Sequence, residues 1–183
     1  MVDGITDRRP PCAQVGPILV MGVAGTGKSE IASRLAAALD GTFIEADSYH
    51  SVENVERMRR GIGLTDAERW PWLSAVATAA LDAGTPGPVV IACSTLKRRY
   101  RDFLRERIGP LRILYLAGSP ELIAKRLAGR KGHFASRSLL ESQMSTLEPP
   151  SEDEESVIRV DIRLAPEAII AAALARLENE HSV

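Results

Sequence analysis

The sequence predicts an α/β protein with a mainly parallel, five-stranded sheet flanked by helices. The first observation is a set of five short apolar segments that look like strands: Ile18–Met21, Thr42–Ala46, Val89–Cys93, Arg112–Leu116 and Val157–Ile162. Most are continuously apolar, which is typical of parallel strands that are covered on both faces. The second observation is that longer amphipathic segments separate them. Strands that alternate with helices form a layered sheet with right-handed crossovers.

Helical spacing of apolar residues predicts the helices between and after these strands. In chain order they are Ser29–Leu39, a helix that begins near Pro71 and includes Leu73–Leu81, a helix whose apolar face carries Tyr100, Phe103, Leu104 and Ile108, a helix after Ser119, and one from Pro166 to about Leu177. Ser119 and Pro120 are residue types favoured at the N-cap and at the first helical position. Pro71 is expected to begin its helix, because proline disrupts a helix interior.

Length and composition indicate one domain over residues 17–183, after a flexible leader at 1–16. The chain has 183 residues and a formal net charge of -1, which gives no reason to expect nucleic acid or a membrane surface as a partner. No apolar run approaches the roughly 20 residues that span a bilayer. Cys12 and Cys93 do not suggest a disulfide framework. We therefore expect a soluble, cytoplasmic protein.

A phosphate-binding pattern follows the first strand. The run Gly22, Val23, Ala24, Gly25, Thr26, Gly27, Lys28, Ser29 fits G-x-x-x-x-G-K-[ST] and opens a helix. Backbone N–H groups of such a loop converge on phosphate oxygens, helped by the helix N-terminus. Lys28 is expected to reach the β- and γ-phosphates as a catalytic group, and Ser29 to ligate Mg²⁺. The alternative is an incidental glycine-rich turn, which the strand–loop–helix context disfavours.

A carboxylate for the reaction is expected at the end of the second strand. The third strand ends in Cys93-Ser94 rather than in an aspartate, and no guanine-reading N-K-x-D pattern occurs. Asp47 is therefore the candidate to accept a proton from a substrate hydroxyl or to hold water on Mg²⁺. The alternative role of Asp47 is to cap the next helix. His50 either contacts the substrate or only positions the loop.

The segment from about 47 to 73 is interpreted as an acceptor-binding lobe. It is highly charged yet contains both tryptophans, Trp70 and Trp72, which either line the lobe or pin it to the sheet. Thr65 and Glu68 have the spacing of a capping box.

Clusters of cations occur at two further places. Lys97, Arg98, Arg99 and Arg101 stand at the start of a helix, where positive charge is unfavourable unless an anionic ligand offsets it. Lys97 and Arg101 are four residues apart and are expected to share a face. The alternative, which applies most to Arg98 and Arg99, is a solvated surface paired to Asp102 or Glu106.

The second cation cluster contains Arg126, Arg130, Lys131 and His133, with Gly129 before the last three and Gly132 among them. It suits a lid, about 126–147, that closes over a triphosphate. The alternative is a solvated helix end, which explains Arg130 without any function. The acidic stretch after it is interpreted as a solvated connector.

These segments together resemble one enzyme family. From Met21 to about Glu155 the chain carries, in order, MGVAGTGKS, ADSYH, ENVERM, GIGLTDAERWPWL, CSTLKRRYRDFLR, RKGHF and SQMSTLEPPSEDE. They resemble the gluconokinases, small P-loop kinases related in fold to shikimate and nucleoside monophosphate kinases. Ser51, Gly63 and Thr95 depart from the usual wording of the family without removing a charged or catalytic group.

The resemblance implies a homodimer that uses ATP and Mg²⁺ to phosphorylate the 6-hydroxyl of D-gluconate. It implies ATP contacts from the phosphate-loop residues, Arg126 and Arg130, and metal contacts from Ser29 and Asp47. The substrate contacts that it implies are Asp47, His50, Lys97, Arg101 and His133. Residue chemistry alone reaches only a small-molecule kinase with an anionic acceptor. A shikimate or nucleotide kinase, or a nucleotide-binding regulatory protein, remains the alternative.

Overall fold

The computed structural model describes residues 16–83, 87–129, 137–151, 153–154 and 156–179. The five strands are β1 Ile18–Met21, β2 Thr42–Glu45, β3 Val89–Ala92, β4 Arg112–Ala117 and β5 Val157–Asp161. The helices are α1 Lys28–Ala38, α2 Val52–Arg59, α3 Asp66–Asp82, α4 Arg98–Ile108, α5 Pro120–Ala128, α6 Arg137–Thr146 and α7 Pro166–Asn179, with a short 3₁₀ turn at Ala46–Tyr49. Every predicted strand is present, with each end within one residue of its prediction.

The five strands form one parallel sheet in the order β2-β3-β1-β4-β5. In the register of the sheet, Ala92 of β3 lies opposite both Val20 of β1 and Glu45 of β2. The carboxyl ends of these three strands are therefore level with one another. The loops that follow them open onto the same edge, which is where parallel sheets bind ligands.

Helices cover both faces of the sheet, which confirms the predicted fold class. On one face, Ile18 and Val20 pack among residues of α1, α5, α6 and α7. On the other face, Leu19 and Met21 pack among residues of α3 and α4. All four β1 side chains are buried, and a fully buried aliphatic side chain contributes about 1.5–3 kcal/mol. No helix in the described part of the chain is long and apolar enough to cross a membrane.

The start of α3 differs from the sequence prediction. The helix begins at Asp66, and Pro71 lies inside it, rather than beginning it. The predicted capping box does form: the Thr65 hydroxyl accepts from the Glu68 N–H at 3.4 Å, and the Glu68 carboxylate accepts from the Thr65 N–H at 2.7 Å. Proline lacks one N–H but keeps a helical φ, so the cap outweighed its cost this close to the helix start.

The cap of α5 is as predicted. The Ser119 hydroxyl accepts a hydrogen bond from the Leu122 N–H at 3.3 Å, and Pro120 is the first helical residue. Ser51, one of the departures from the family wording, caps α2 by accepting from the Asn54 N–H at 3.2 Å. The side chain of Ser51 therefore caps the N-terminus of α2.

Candidate active site

The phosphate loop connects β1 to α1 and leaves the helix N-terminus open. Gly27 is the N-cap residue, in a left-handed conformation with φ 94°, and no side chain of the described residues caps the helix there. A Cβ at Gly27 would meet nothing within 4 Å. The first N–H groups of α1 therefore face open space, which is the arrangement that receives a phosphate. This geometry fits the triphosphate that the sequence predicts.

The loop is held from its other side by α5. Gly25 has φ 87°, and a Cβ there would lie 2.8 Å from the Leu127 side chain. Only glycine allows this close approach of the loop to the helix. Within the loop, the Val23 carbonyl accepts from the Thr26 hydroxyl at 2.9 Å and from Lys28 Nζ at 3.1 Å. The Lys28 side chain is therefore folded back over the loop.

A cleft of about 480 Å³ lies beside the loop. It is lined by Gly25, Gly27, Glu30, Leu122, Lys125, Arg126 and Gly129. Its volume is in the range of nucleotide- and ligand-sized pockets. Arg126, a predicted ATP contact, lines this cleft and donates to the Ile162 carbonyl at 2.5 Å. The other predicted lid residues, Arg130 and His133, lie outside the described residues.

Asp47 lies on the level edge formed by the first three strands. It is exposed, in the turn that follows β2. Burial raises the pKa of the Cys93 thiol to about 12, the Asp47 carboxylate adds to that rise, and Lys28 and Arg69 oppose it. The pKa of one thiol at the end of β3 is therefore affected by the charges of Asp47, Lys28 and Arg69. The thiol stays protonated, so the chemistry of this edge is left to the carboxylate and the two cations.

The residues at this edge fit a magnesium ion bound mainly through phosphate. The described residues contain no group of three or more histidine, cysteine, aspartate or glutamate side chains that could hold a metal. Mg²⁺ does not need such a cage, because it usually keeps several waters and takes one or two protein oxygens together with phosphate oxygens. The exposed Ser29 hydroxyl and Asp47 carboxylate offer two such oxygens.

His50 follows the turn after β2 and packs against α3. Its ring stacks on Trp72 with a centroid separation of 4.2 Å, and Trp72 Nε1 donates to the Ala46 carbonyl at 2.7 Å. Trp72 therefore pins the turn to α3. Burial lowers the pKa of His50, Asp47 opposes this and Arg69 adds to it, so the imidazole is neutral at pH 7. Among the described residues, its buried Nδ1 has no hydrogen-bond partner.

Arg69 was missed as a site residue in the sequence. It lies in the first turns of α3, where its Nε donates to the Leu64 carbonyl at 3.3 Å and its guanidinium lies 5.7 Å from the Tyr100 ring. The positive charge of Arg69 lowers the pKa of His50, of the Cys93 thiol and of Tyr100. The signal in the sequence that could have identified Arg69 was its place in the segment RWPWL. Because the predicted helix began near Pro71, Arg69 was not placed on the first turns of α3.

The cations before and within α4 surround one carboxylate. Lys97 is the N-cap residue of α4, and its Nζ donates to Asp66 at 3.1 Å. Arg99 and Tyr100 donate to the same carboxylate. The Tyr100 hydrogen bond is the main cause that lowers the pKa of Asp66. Two cations, Lys97 and Arg99, therefore face one carboxylate, and the cluster keeps a positive excess.

The prediction that Arg101 binds substrate is corrected by its burial. Arg101 is fully buried, and its guanidinium forms a two-point ion pair with Glu154, which is also buried. Arg101 also donates to the carbonyls of Thr95, at 3.2 Å, and Glu148, at 3.1 Å. It therefore does not share an exposed face with Lys97. Its side chain joins the connection between α6 and β5 to the loop after β3.

The acidic connector is correspondingly not all solvated. Burial alone would raise the pKa of Glu154, but the hydrogen bonds and charge of Arg101 outweigh it and hold that pKa below its usual value. Glu148, an exposed neighbour, accepts from the Arg98 N–H at 2.6 Å. Arg98 itself pairs with Asp153 at 2.7 Å and with Asp102 at 3.7 Å. The pairing of Arg98 to Asp102 is the solvated alternative considered from the sequence.

Comparisons with known proteins place these features in a family. A family model described as an AAA domain matches residues 18–150. A probable gluconokinase of Mus musculus is 41% identical over 181 residues, covering 89% of this chain and 98% of that protein. The thermoresistant gluconokinase of Escherichia coli is 41% identical, covering 85% and 90%. The crystal structure of a gluconokinase from Sinorhizobium meliloti matches with TM-score 0.80 and 44% identity, covering 90% of this chain and 92% of that one.

Proposed function

The chain belongs to the gluconokinase family, and from this premise we propose that it transfers the γ-phosphoryl group of ATP to the 6-hydroxyl of D-gluconate. The observation that carries the proposal is the shared edge of the sheet: the carboxyl ends of β1, β2 and β3 are level, the phosphate loop with Lys28 follows β1, and the exposed Asp47 follows β2. A kinase needs a phosphate site and a carboxylate that can take a proton at one place.

The proposed reaction is a direct transfer. The 6-hydroxyl oxygen of gluconate attacks the γ-phosphorus, its proton passes to the Asp47 carboxylate, and the bond to the β–γ bridging oxygen breaks to leave ADP. Lys28 and the N–H groups of the loop stabilise the charge that spreads over the phosphoryl oxygens. Mg²⁺, for which Ser29 and Asp47 are the proposed ligands, supplies further neutralisation of the phosphates.

We propose Arg69 as the principal contact of the gluconate carboxylate. Its planar guanidinium offers paired donors that match a carboxylate, and it is half-buried beside the Tyr100 ring. Lys97 adds positive charge from the Asp66 cluster. His50 stays in the proposal as a substrate contact on the family resemblance alone, since its buried Nδ1 is not open to a ligand. Arg130 and His133 stay in the proposal on the family resemblance alone, with Arg126 as an ATP contact in the cleft.

The experiment that tests this function is a coupled ADP-release assay with MgATP and a panel of D-gluconate, shikimate, glucose, AMP and no acceptor. We expect a large rate with gluconate only. Activity with another acceptor would leave the kinase assignment intact and overturn the substrate. Equal rates with and without every acceptor would favour a nucleotide-binding regulatory protein instead.

The role of Asp47 is tested with Asp47→Asn against Asp40→Asn. Asp40 is exposed just after α1, with φ 50°, a conformation that asparagine also tolerates. A positioned general base contributes roughly 10²–10⁴-fold, so turnover of Asp47→Asn should fall by at least 100-fold. Asp40→Asn should turn over normally. Undiminished turnover of Asp47→Asn would remove this residue from the mechanism.

Three further features are proposed on composition and family resemblance. They are a single kinase domain over 17–183, a homodimer, and a location in the cytoplasm, with no nucleic acid or membrane among the partners. The dimer is checked by light scattering coupled to size-exclusion chromatography. A mass near twice 19.8 kDa is expected, and a mass near 19.8 kDa across the working concentration range would contradict it.

A further inference from the structure

Helix α6 contacts the phosphate loop through the side chain of Gln143. The Gln143 Oε1 accepts a hydrogen bond from the Ala24 N–H at 2.6 Å, across 119 residues of sequence. Neighbouring Leu140 and Met144 belong to the apolar cluster on that face of the sheet, so α6 is anchored by packing. Packing alone does not require a glutamine here. The carboxamide therefore has a polar task that its apolar neighbours do not share.

The peptide unit between Val23 and Ala24 is held at both of its polar ends. Its N–H donates to Gln143, and its carbonyl accepts from Lys28 Nζ at 3.1 Å. The N–H and C=O groups of a planar peptide point in opposite directions, so fixing one end fixes the direction of the other. Rotation of this peptide would turn the carbonyl away from Lys28. The Gln143 hydrogen bond therefore opposes the rotation that would release the lysine.

The position of Lys28 matters because an ammonium on a flexible stem has little intrinsic preference for one place. Its side chain has about 2 kcal/mol of rotamer entropy to lose on ordering. The Val23 carbonyl can accept one of its three N–H donors and keep the ammonium over the loop. A lysine already ordered in the free protein loses less entropy when a phosphate arrives.

We propose that Gln143 is a positioning residue for phosphoryl transfer: it fixes the Val23–Ala24 peptide, and the carbonyl of that peptide holds Lys28 at the phosphate site. The inference rests on the proposed function only in assigning Lys28 to the phosphates of ATP. It couples α6 to Lys28 without a contact between Gln143 and the acceptor. Gln143 thus acts on the nucleotide side of the reaction.

The test is a double-mutant cycle on nucleotide binding, measured by calorimetry with MgATP and no acceptor. Gln143→Met keeps length and packing but removes the acceptor atom, and Ser145→Ala on the exposed side of α6 is the matched control. We expect Gln143→Met to weaken MgATP binding about fivefold, the worth of one net hydrogen bond, and Ser145→Ala to leave it unchanged. In a Lys28→Met background, Gln143→Met should have no further effect, because its route to the phosphate is already lost.

Three results would overturn the proposal. They are an unchanged dissociation constant in Gln143→Met, a loss of the same size with and without Lys28, or a rise in KM for the acceptor with KM for ATP unchanged. Gln143→Ala provides a second variant, and thermal melts identify any variant that is not folded. Because the cycle uses MgATP alone, it stands even if gluconate proves to be the wrong acceptor. The ADP-release panel detects that separate failure.

Discussion

The buried ion pair of Arg101 and Glu154 is expected to contribute strongly to the stability of the fold. Replacing Arg101 with methionine keeps much of the volume but removes the two-point partner of the Glu154 carboxylate, which is 1% exposed and whose other ion pair, to Arg105, is longer at 4.0 Å. It also leaves the Thr95 and Glu148 carbonyls without the guanidinium that now donates to them. Removing one partner of a buried ion pair costs about 3–5 kcal/mol. For a chain of this size that loss lowers Tm by roughly 6–20 °C.

The comparison with two other variants isolates the cause. Arg101→Met/Glu154→Leu removes both charges, so it should recover most of the free energy of unfolding that the single variant loses. Arg98→Met removes an arginine that is 46% exposed and pairs with Asp153, so it should cost far less than Arg101→Met, because exposed ion pairs contribute little to stability. Urea unfolding, followed by circular dichroism, measures all three. The m-values should agree if the native state is unchanged.

The pH dependence follows from the same pair. Arg101 holds the pKa of Glu154 below its ordinary 4.5, so the unfolded chain takes up the proton first as pH falls. The stability that the pair contributes is therefore complete above about pH 4.5 and is lost as pH falls through the lower, folded pKa. In Arg101→Met/Glu154→Leu this part of the acid dependence should disappear.

One result would refute the structural role of Arg101. If Arg101→Met lost less than about 1 kcal/mol and instead raised KM for gluconate at unchanged stability, the arginine would be a substrate ligand. That is the role the sequence predicted from its spacing to Lys97. The fully buried guanidinium predicts the opposite pattern.

Arg69→Gln should raise KM for gluconate by at least tenfold while leaving KM for ATP within about threefold, because a charge-assisted bond to the carboxylate is worth about 1.5–3 kcal/mol. Steady-state kinetics measure both constants, and a rise in KM for ATP instead would contradict this prediction. Thr65→Ala should lower the free energy of unfolding by about 1 kcal/mol, because the α3 cap is lost. Urea titration measures this change, and an unchanged free energy of unfolding would mean that the cap contributes nothing. Cys93 is the remaining thiol in a Cys12→Ser variant, and it should react with a thiol reagent only on unfolding, because burial raises its pKa to about 12. Rapid labelling of the native protein would contradict this prediction.

Local signals in the sequence were enough to predict the strands, the phosphate loop and two helix caps. Each depends on neighbours within a few residues: a continuous apolar run for a buried strand, glycines and Lys28 for the loop, and Thr65 with Glu68 for the start of α3. The start of α3 was nevertheless misplaced, because the capping box and Pro71 gave conflicting signals one turn apart. The cap satisfies donors at the helix end, and this decided the outcome.

The contacts that sequence reasoning missed are long-range. Arg101 is paired with a glutamate 53 residues away, and a cation four residues from Lys97 looks exposed unless that partner is known. Gln143 and Ala24 are separated by 119 residues. Arg69 depends on where α3 begins. In each case the side chain gets its role from how the sheet brings distant loops to one edge, which periodicity and spacing do not encode.

The most direct test of the central claim is to identify the product by proton–phosphorus correlation NMR after incubation with MgATP and D-gluconate. The account predicts one new phosphomonoester, coupled to the two protons of carbon 6, formed in equal amount to ADP by the wild-type protein and at least 100-fold more slowly by Asp47→Asn. Phosphate attached at another carbon, or ADP matched only by inorganic phosphate, would contradict it.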